Sequence, residues 1–240
     1  MISAENKNRI MSVINIFETG SADGKYDDVT IYDDGKPDAN GKPTRQITYG
    51  RSQTTEQSHL RELIESYIAN NGQFALDFQP YVSLLGVKSL VDDAKLIALL
   101  KKAAREDDVM CKTQDVFFDK VYYQPALKFF TDNKFTLPLS MLVIYDSYIH
   151  SGKIRDDIRN TFPESPPVRG GDEKAWVSAY VKARTKWLLG RSNPKLRETI
   201  YRTQCFSVLI ALGDWMLENP VSANGMMSRD LEMAAPIDLN

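Results

Sequence analysis

Apolar side chains recur every three or four positions near the start of the chain. The repeating positions are Ile10, Val13, Ile14 and Phe17. This spacing places one apolar stripe along a helix and predicts an amphipathic helix over residues 4–17. Gly20 can end that helix in a left-handed conformation. Glu18 is therefore expected at the C-terminal end of the helix, directly after the apolar stripe.

The pattern then changes to alternation, which is typical of strands. Residues 25–33 (KYDDVTIYD) alternate around two β-branched side chains, and residues 44–50 (TRQITYG) read as a second strand. Residues 35–43, which lie between them, are rich in Gly, Pro, Asp and Asn, which favour turns. These segments predict one β-hairpin with a long tip, and no other segment shows a convincing strand pattern.

From Thr54 onward the periodicity is helical. Thr54 and Gln57 have the spacing of a capping box before an apolar stripe. Further predicted helices cover residues 90–105, 113–131 with an interruption near Pro125, 137–151, 154–161, 173–189 and 194–217. The last twenty residues are irregular. The sequence thus predicts a predominantly α-helical α+β fold with one small β-hairpin near the N-terminus.

Length and composition restrict the class of protein. The chain has 240 residues, of which 42% are hydrophobic and 26% charged, and its net charge is −2. These values are typical of one large or two small globular domains. The near-zero charge argues against binding nucleic acid through bulk charge, and no apolar run approaches the roughly 20 residues that span a bilayer. We expect neither a nucleic-acid nor a membrane partner, and a monomer is the default.

Cysteine and histidine are scarce in the chain. Cys111 and Cys205 have no metal-binding or redox spacing, so buried free thiols are favoured over a single disulfide. With only His59 and His150 available, a His-rich metal site is not expected. The sequence predicts no metal and no organic cofactor.

Residues 23–38 are unusually acidic, with six Asp against two Lys and a net charge of −4. One interpretation is a solvated loop, with or without bound calcium, although the ligand spacing of an EF-hand is absent. The other interpretation is an acidic cleft that attracts a cationic ligand. Composition alone leaves both open.

Two carboxylates near this segment suit acid–base chemistry. Glu18 ends a helix, and Asp34 ends a strand directly before a turn. An inverting glycosidase needs two carboxyl groups about 6.5–9.5 Å apart, one protonated as general acid and one ionised as general base. Thr48, on the neighbouring strand, has a hydroxyl group that could hold the attacking water.

The segment FETGSADGKYDDVTIYDDG (17–35) resembles the active-site segment of bacterial chitosanases in family 46 of the glycoside hydrolases. In that family a Phe-Glu pair at a helix end is followed by an aromatic strand that ends in Asp-Gly. The two carboxylates of a Bacillus-type member are sixteen residues apart, and so are Glu18 and Asp34.

The hairpin tip departs from the family pattern. Family members usually continue Asp-Gly-Arg-Gly-Tyr-Thr, whereas this chain has about nine additional residues before Arg45. Arg45 and Thr48 nevertheless keep the Arg-to-Thr spacing of three. The insertion leaves Asp33 and Asp38 as alternatives to Asp34 for the general base.

The resemblance extends over about residues 5–210. The further similar segments are VYYQPALK (121–128), IYDSYIHSG (144–152), YVKARTKWL (180–188) and ETIYRTQCF (198–206). Their order and spacing together are more specific than any one of them.

The resemblance implies a role for each matching residue. Glu18 would be the general acid and Asp34 the general base, acting on a water held by Thr48. A buried charge network behind the acid would consist of Asp146, Arg184 and Arg202. Buried together, two Arg and one Asp satisfy one another, whereas each alone would be costly. Substrate contacts are expected from Arg45, Glu56 and Tyr32, with Glu56 as a carboxylate for a substrate amine.

The resemblance also implies a fold and an activity. The fold would be a two-lobed, lysozyme-like single catalytic domain, with a hairpin-bearing lobe at about 18–60 and a larger helical lobe around a substrate cleft. The expected activity is that of a secreted endo-chitosanase, which hydrolyses β-1,4 glucosaminide bonds of chitosan with inversion. The alternatives are a lysozyme-like peptidoglycan hydrolase and a non-catalytic acidic module that binds carbohydrate or calcium.

Overall fold

The structure is a computed structural model and describes residues 2–51, 53–223 and 226–227. The helices are α1 (Ala4–Thr19), α2 (Leu60–Ala69), α3 (Ala75–Val82), α4 (Ala94–Glu106), α5 (Asp108–Phe118), α6 (Gln124–Asp132), α7 (Pro138–Ser151), α8 (Asp156–Arg159), α9 (Glu173–Leu189), α10 (Pro194–Glu198) and α11 (Ile200–Leu212). The strands are β1 (Val29–Tyr32), β2 (Gln46–Tyr49), β3 (Thr54–Thr55), β4 (Ser222–Ala223) and β5 (Met226–Met227). A π-helical turn, Asp119–Tyr123, precedes α6.

The chain divides into two compact units. The helical unit comprises the described residues of 2–23 and 120–227, and the hairpin unit comprises those of 24–119. The hairpin unit therefore extends well beyond the lobe expected at 18–60. The reason is that α2, α3, α4 and α5 pack against one another and α4 contacts β1.

Helix α7 is the centre of the helical unit. All of its residues from Pro138 to Ser147 are buried, and α1, α6, α9 and α11 each pack against it. A helix segment surrounded in this way has no solvated face, so most residues from Pro138 to Tyr145 are apolar. Asp146 is the charged exception, and its complete burial requires charged partners.

Helix α1 begins and ends as its sequence predicts. The Ser3 hydroxyl accepts a hydrogen bond from the Asn6 amide at the N-terminus. At the C-terminus Gly20 adopts a φ of 67°, and its N–H donates to the carbonyl of Ile16. This left-handed cap stops the helix directly after Glu18 and Thr19.

The hairpin unit contains a three-stranded antiparallel sheet in the order β1-β2-β3. Val29 pairs with Tyr49 and Tyr32 with Gln46, as expected for a hairpin. All four residues of β2 are buried, because the strand is covered by its two neighbours and by helices. The Tyr49 hydroxyl donates to the carbonyl of Leu100 at 2.9 Å and joins the sheet to α4.

The predicted fold class is confirmed, since the molecule is mostly helical and its three-stranded sheet lies near the N-terminus. Helix α9 has the predicted bounds. Pro125 lies just after the π-helical turn, so the interruption predicted near Pro125 is a change of helix type and not a break in the helix. The predicted helix 194–217 is wrong as a single element, because the chain leaves the helix at Thr199 and ends α11 at Gly213.

The prediction of a capping box at Thr54 and Gln57 is also wrong. Thr54 and Thr55 form β3, which the sequence pattern missed. Gln57 bonds across the hairpin instead, accepting from the Lys36 amide and donating to the Thr44 hydroxyl.

The sequence predicts that the final twenty residues are irregular. Of these, 221–223 and 226–227 are described, and they contain the paired strands β4 and β5. Among the described residues, no helix is both long enough and apolar enough to cross a bilayer.

Candidate active site

Glu18 lies at the end of α1 and is held by an arginine from a distant part of the chain. Its Oε1 atom is 2.6 Å from Nη2 of Arg202, and its side chain is only 9% exposed. The same arginine places Nη1 at 2.8 Å from Oδ1 of Asp146. Arg202 therefore bridges the two carboxylates of the helical unit.

Asp146 is paired a second time by Arg184. Nη1 of Arg184 is 2.6 Å from Oδ2 of Asp146, and both side chains are buried. Behind them, the Ser147 hydroxyl accepts hydrogen bonds from Arg184 and from the hydroxyl of Tyr180. The helical unit thus brings together all four residues predicted for the acid and its charge network, and their alternation of sign offsets the cost of burial.

The two carboxyl groups that share Arg202 have opposite pKa shifts. Burial raises the pKa of Glu18 and outweighs the attraction of Arg202, which lowers it. Burial also acts to raise the pKa of Asp146, but Arg184 and Arg202 together outweigh it and leave that pKa below its usual value. The same two causes, burial and nearby opposite charge, act on both carboxyl groups, and a different one dominates at each. Glu18 is suited to hold a proton, and Asp146 is suited to stay ionised.

Tyr201 holds the end of α1 and was not singled out in the sequence. Its hydroxyl donates to the carbonyl of Phe17 at 2.9 Å, and its ring meets that of Phe17 edge to face. The carbonyl groups of the last helical turn have no partners within the helix, so this bond satisfies one of them beside Glu18. Its position next to Arg202 in the motif ETIYRTQCF was the only available signal.

Asp34 lies in the hairpin unit, exposed, two residues after β1. Its Oδ1 accepts a hydrogen bond of 2.9 Å from the side-chain amide of Gln46. Gln46 is buried at the start of β2, and its Oε1 accepts from the amide of Gln57. Gln46 thus orients Asp34 from the neighbouring strand, a role that sequence reasoning missed because it depends on strand register.

Thr48 is two residues further along β2, opposite Thr30 and Thr55. It is buried, and its hydroxyl has no hydrogen-bond partner within the described part of the chain. A buried hydroxyl without a protein partner costs free energy unless a water or ligand satisfies it. The Thr48 hydroxyl therefore has hydrogen-bonding capacity that no described group uses, and its oxygen is closed to solvent in this structure.

The alternative bases differ from Asp34 in their surroundings. Oδ1 of Asp38 accepts hydrogen bonds from the amides of Asn40 and Lys42 at 2.8 and 3.0 Å, which closes the hairpin tip. That carboxylate is committed to the turn. Asp33 is exposed directly before Asp34, and the side-chain amide of Gln46 binds Asp34, not Asp33.

The residues predicted to contact substrate have three different environments. Tyr32 is exposed at the end of β1, as a sugar-binding ring must be. Arg45 is also exposed and forms an ion pair with Asp92 at 3.1 Å. Glu56 is 1% exposed, and its two oxygens accept from the amides of Ile47 and Leu90. The carboxylate predicted to bind a substrate amine is thus buried and binds two backbone amides.

Local bonds engage much of the acidic segment. Asp27 pairs with Arg105, and Asp28 accepts from the side-chain amide of Gln53.

Over the described residues, no group of three or more His, Cys, Asp or Glu side chains is arranged to hold a metal ion. Cys111 and Cys205 are free thiols.

Comparison with known proteins adds an independent result. The model of glycosyl hydrolase family 46 matches residues 12–221. A chitosanase of Bacillus subtilis (strain 168) is 26% identical over 238 residues, covering 92% of this chain and 82% of that protein.

Two solved structures show the same fold. The native chitosanase of Bacillus subtilis MY002 has a TM-score of 0.80 at 22% identity, covering 95% of this chain and 100% of that one. The family 46 chitosanase of Gynuella sunshinyii in complex with chitotetraose has a TM-score of 0.78 at 23% identity, covering 95% and 98%. These similarities confirm the predicted lysozyme-like fold. Because the family model also spans most of the chain, the protein belongs to glycosyl hydrolase family 46.

Proposed function

We propose that this family 46 hydrolase is an endo-acting chitosanase that cleaves β-1,4 bonds between glucosamine units with inversion. The Bacillus relative is a chitosanase, and the Gynuella relative was solved with chitotetraose. Within this chain, the observation that carries the proposal is the buried carboxyl of Glu18, which is bound to Arg202 and has a raised pKa.

Glu18 acts as the general acid. Its raised pKa keeps the carboxyl protonated at a pH at which ordinary glutamates are ionised. As the glycosidic bond breaks, Glu18 gives its proton to the leaving oxygen and becomes a carboxylate. Arg202 stabilises that carboxylate at 2.6 Å, so the charge of the product state has its partner in place before the reaction.

Asp34 acts as the general base. Its exposed carboxylate, oriented by Gln46, removes a proton from a water that Thr48 holds through its hydroxyl. That water attacks the anomeric carbon from the face opposite the leaving group, which inverts the configuration. Asp146 and Arg184 stay out of the proton transfers, and Asp146 holds Arg202 in place.

The substrate is a polycation, and exposed carboxylates of the hairpin unit suit it. Asp33 and Asp34 are adjacent and exposed, and Tyr32 beside them offers an exposed ring. Chitosan is a polymer that does not cross a membrane, so we propose that the enzyme acts outside the cell.

The test is hydrolysis of a glucosamine hexamer, followed by proton NMR, by the wild type, Glu18→Gln and Asp34→Asn. We expect the wild type to release new reducing ends that are first seen as the α-anomer. Each variant should lower kcat by about 100- to 10,000-fold, as expected for loss of one acid–base group. The far-ultraviolet circular dichroism of all three proteins should be the same.

Other outcomes identify the alternatives. Release of the β-anomer first would contradict inversion, and full activity of Asp34→Asn with loss in Asp33→Asn would move the base by one residue. Cleavage of bacterial cell walls but not of chitosan would indicate a peptidoglycan hydrolase. Binding of the hexamer without any new reducing ends would indicate a non-catalytic module.

A further inference from the structure

We infer that Glu56 is a positioning residue. It holds strand β2 in the register that places Asp34 and Thr48 for the general-base step. This inference rests on the proposed function of Asp34 and Thr48. It replaces the expected role of Glu56 as a carboxylate for a substrate amine.

The first observation is that Glu56 extends the sheet with its side chain. Thr48 and Tyr49 of β2 pair with Thr55 and Thr54 of β3, so Ile47 lies opposite Glu56 in the next position. The Glu56 amide donates to the Ile47 carbonyl at 2.8 Å, as in a normal ladder. The Ile47 amide, however, donates to Oε2 of Glu56 at 3.2 Å. A carboxylate thus accepts the bond that a main-chain carbonyl accepts elsewhere in a sheet.

The second observation is that the other oxygen of Glu56 binds a different segment. Oε1 accepts a hydrogen bond of 2.6 Å from the amide of Leu90, in the loop between α3 and α4. Glu56 is 1% exposed, so a substrate amine does not reach it without displacing one of these amides. Its carboxylate joins two pieces of backbone, at Ile47 and Leu90, that are far apart along the chain.

The third observation is the position of the Glu56–Ile47 hydrogen bond along β2. We call the two bonds of the Glu56 carboxylate, to the Ile47 and Leu90 amides, the Glu56 joint. Gln46, on one side of Ile47, donates to Asp34 at 2.9 Å. Thr48, on the other side, carries the buried hydroxyl without a protein partner. Because Glu56 fixes the amide between them, it fixes the direction of both residues. A displacement of about 1 Å in such a position lowers catalysis by about 100-fold.

The chemistry requires two acceptor oxygens. Two backbone N–H groups point at Glu56, and a carboxylate offers an acceptor to each. A glutamine has the same shape but replaces one oxygen with an NH₂ group, which has no lone pair to offer. Glu56→Gln therefore leaves one amide facing a donor, and β2 or the Leu90 loop must shift.

The decisive experiment compares kcat and KM for a glucosamine hexamer in the wild type, Glu56→Gln and Asp107→Asn. Asp107 is the matched control in the same unit, because its carboxylate also accepts two backbone amides, those of Gln73 and Val109. We expect Glu56→Gln to lower kcat at least about tenfold with KM within about twofold. Asp107→Asn should leave both constants near their wild-type values after correction for folded protein.

Two results would overturn the inference. A raised KM with unchanged kcat would show that Glu56 binds substrate after all. A loss of kcat no larger than that of Asp107→Asn would leave Glu56 a purely structural residue. The coupling is tested in the Thr48→Val background, where Glu56→Gln should cause less than about a threefold further loss, since the water-holding hydroxyl is already absent.

Hydrogen exchange of the backbone amides tests the joint without relying on activity. In the wild type, the Ile47 and Leu90 amides should be protected, and in Glu56→Asp, whose shorter side chain cannot reach both, at least one should exchange about tenfold faster or more. Unprotected amides in the wild type would contradict the inference. Should the wild type release no reducing ends from chitosan, the proposed function fails, while this measurement still decides whether Glu56 holds β2.

Discussion

At the scale of single residues, two carboxyl groups of the helical unit share one arginine but have pKa values shifted in opposite directions. Arg202 touches both Glu18 and Asp146, yet burial dominates at Glu18 and the two arginines dominate at Asp146. Glu18 has one guanidinium partner and is repelled by the charge of Asp146, whereas Asp146 has two guanidinium partners. The different number of charged neighbours gives the two pKa shifts their opposite directions.

The pKa of His150 is shifted by burial and by the same charged residues, and the protonated form of His150 is the charged one. Burial, Arg202 and Arg184 lower its pKa to about 3, against the weaker attraction of Asp146. The folded protein therefore keeps His150 neutral, whereas the unfolded chain binds a proton below its ordinary pKa of about 6.5. The stability that depends on neutral His150 is complete above that pH and is lost as the pH falls towards 3.

We predict that His150→Gln reduces the loss of stability between pH 6.5 and 4. One histidine contributes at most about 1.4 kcal/mol per pH unit to the slope of the unfolding free energy. The lowered pKa of Asp146 acts in the same direction, but only below its ordinary value of about 3.8, outside this range. Urea unfolding at several pH values gives the slopes, and equal slopes in wild type and variant would refute the prediction.

At the scale of elements, the β-hairpin depends on two glycines with similar backbones and different surroundings. Gly41 at the tip has a φ of +77°, and a Cβ added there meets nothing within 4 Å. Gly50, directly after β2, has a φ of +80°, and a Cβ there would overlap Oε1 of Gln114. Gln114 is buried and bonds to the amide of Arg51 and the carbonyl of Tyr26.

The two glycines should therefore differ when replaced by alanine. Gly41→Ala should cost about 1 kcal/mol, because only the left-handed backbone is disfavoured. Gly50→Ala should cost about 3 kcal/mol, because it adds a steric overlap and displaces a bonded, buried amide side chain. Urea unfolding of both variants checks the difference. Equal losses would mean that Gln114 moves aside at no cost.

At the scale of the whole molecule, the net charge of −2 is small, so attraction of a polycation has to come from local groups. In the hairpin unit, Asp33, Asp34 and Asp92 expose their carboxylates. Interactions between exposed charges are screened over about 10 Å at 0.1 M salt and about 3 Å at 1 M.

We predict that added sodium chloride weakens binding of chitosan more than it slows the chemical step. Raising the salt from about 0.05 to 0.5 M should increase KM for polymeric chitosan several-fold and change kcat by less than about twofold. Asp33→Asn should reduce this dependence of KM on salt. A KM that does not respond to salt would show that exposed charges do not contribute to binding.

The sequence by itself determined most of the local elements and indicated the family. Helix α1 and strands β1 and β2 follow from side-chain periodicity, which depends only on neighbours along the chain. The motif around Glu18 and Asp34 is likewise a local pattern, and it was sufficient to indicate the family.

The tertiary structure alone decided how these residues are used. Glu18 and Arg202 are 184 positions apart, and only packing of α1, α7 and α11 brings their charges together and shifts their pKa values. Glu56 has the same sequence signature whether it faces substrate or backbone, and strand register assigns it to backbone. Propensity and spacing act over a few residues, whereas burial, desolvation and ion pairing depend on distances in space.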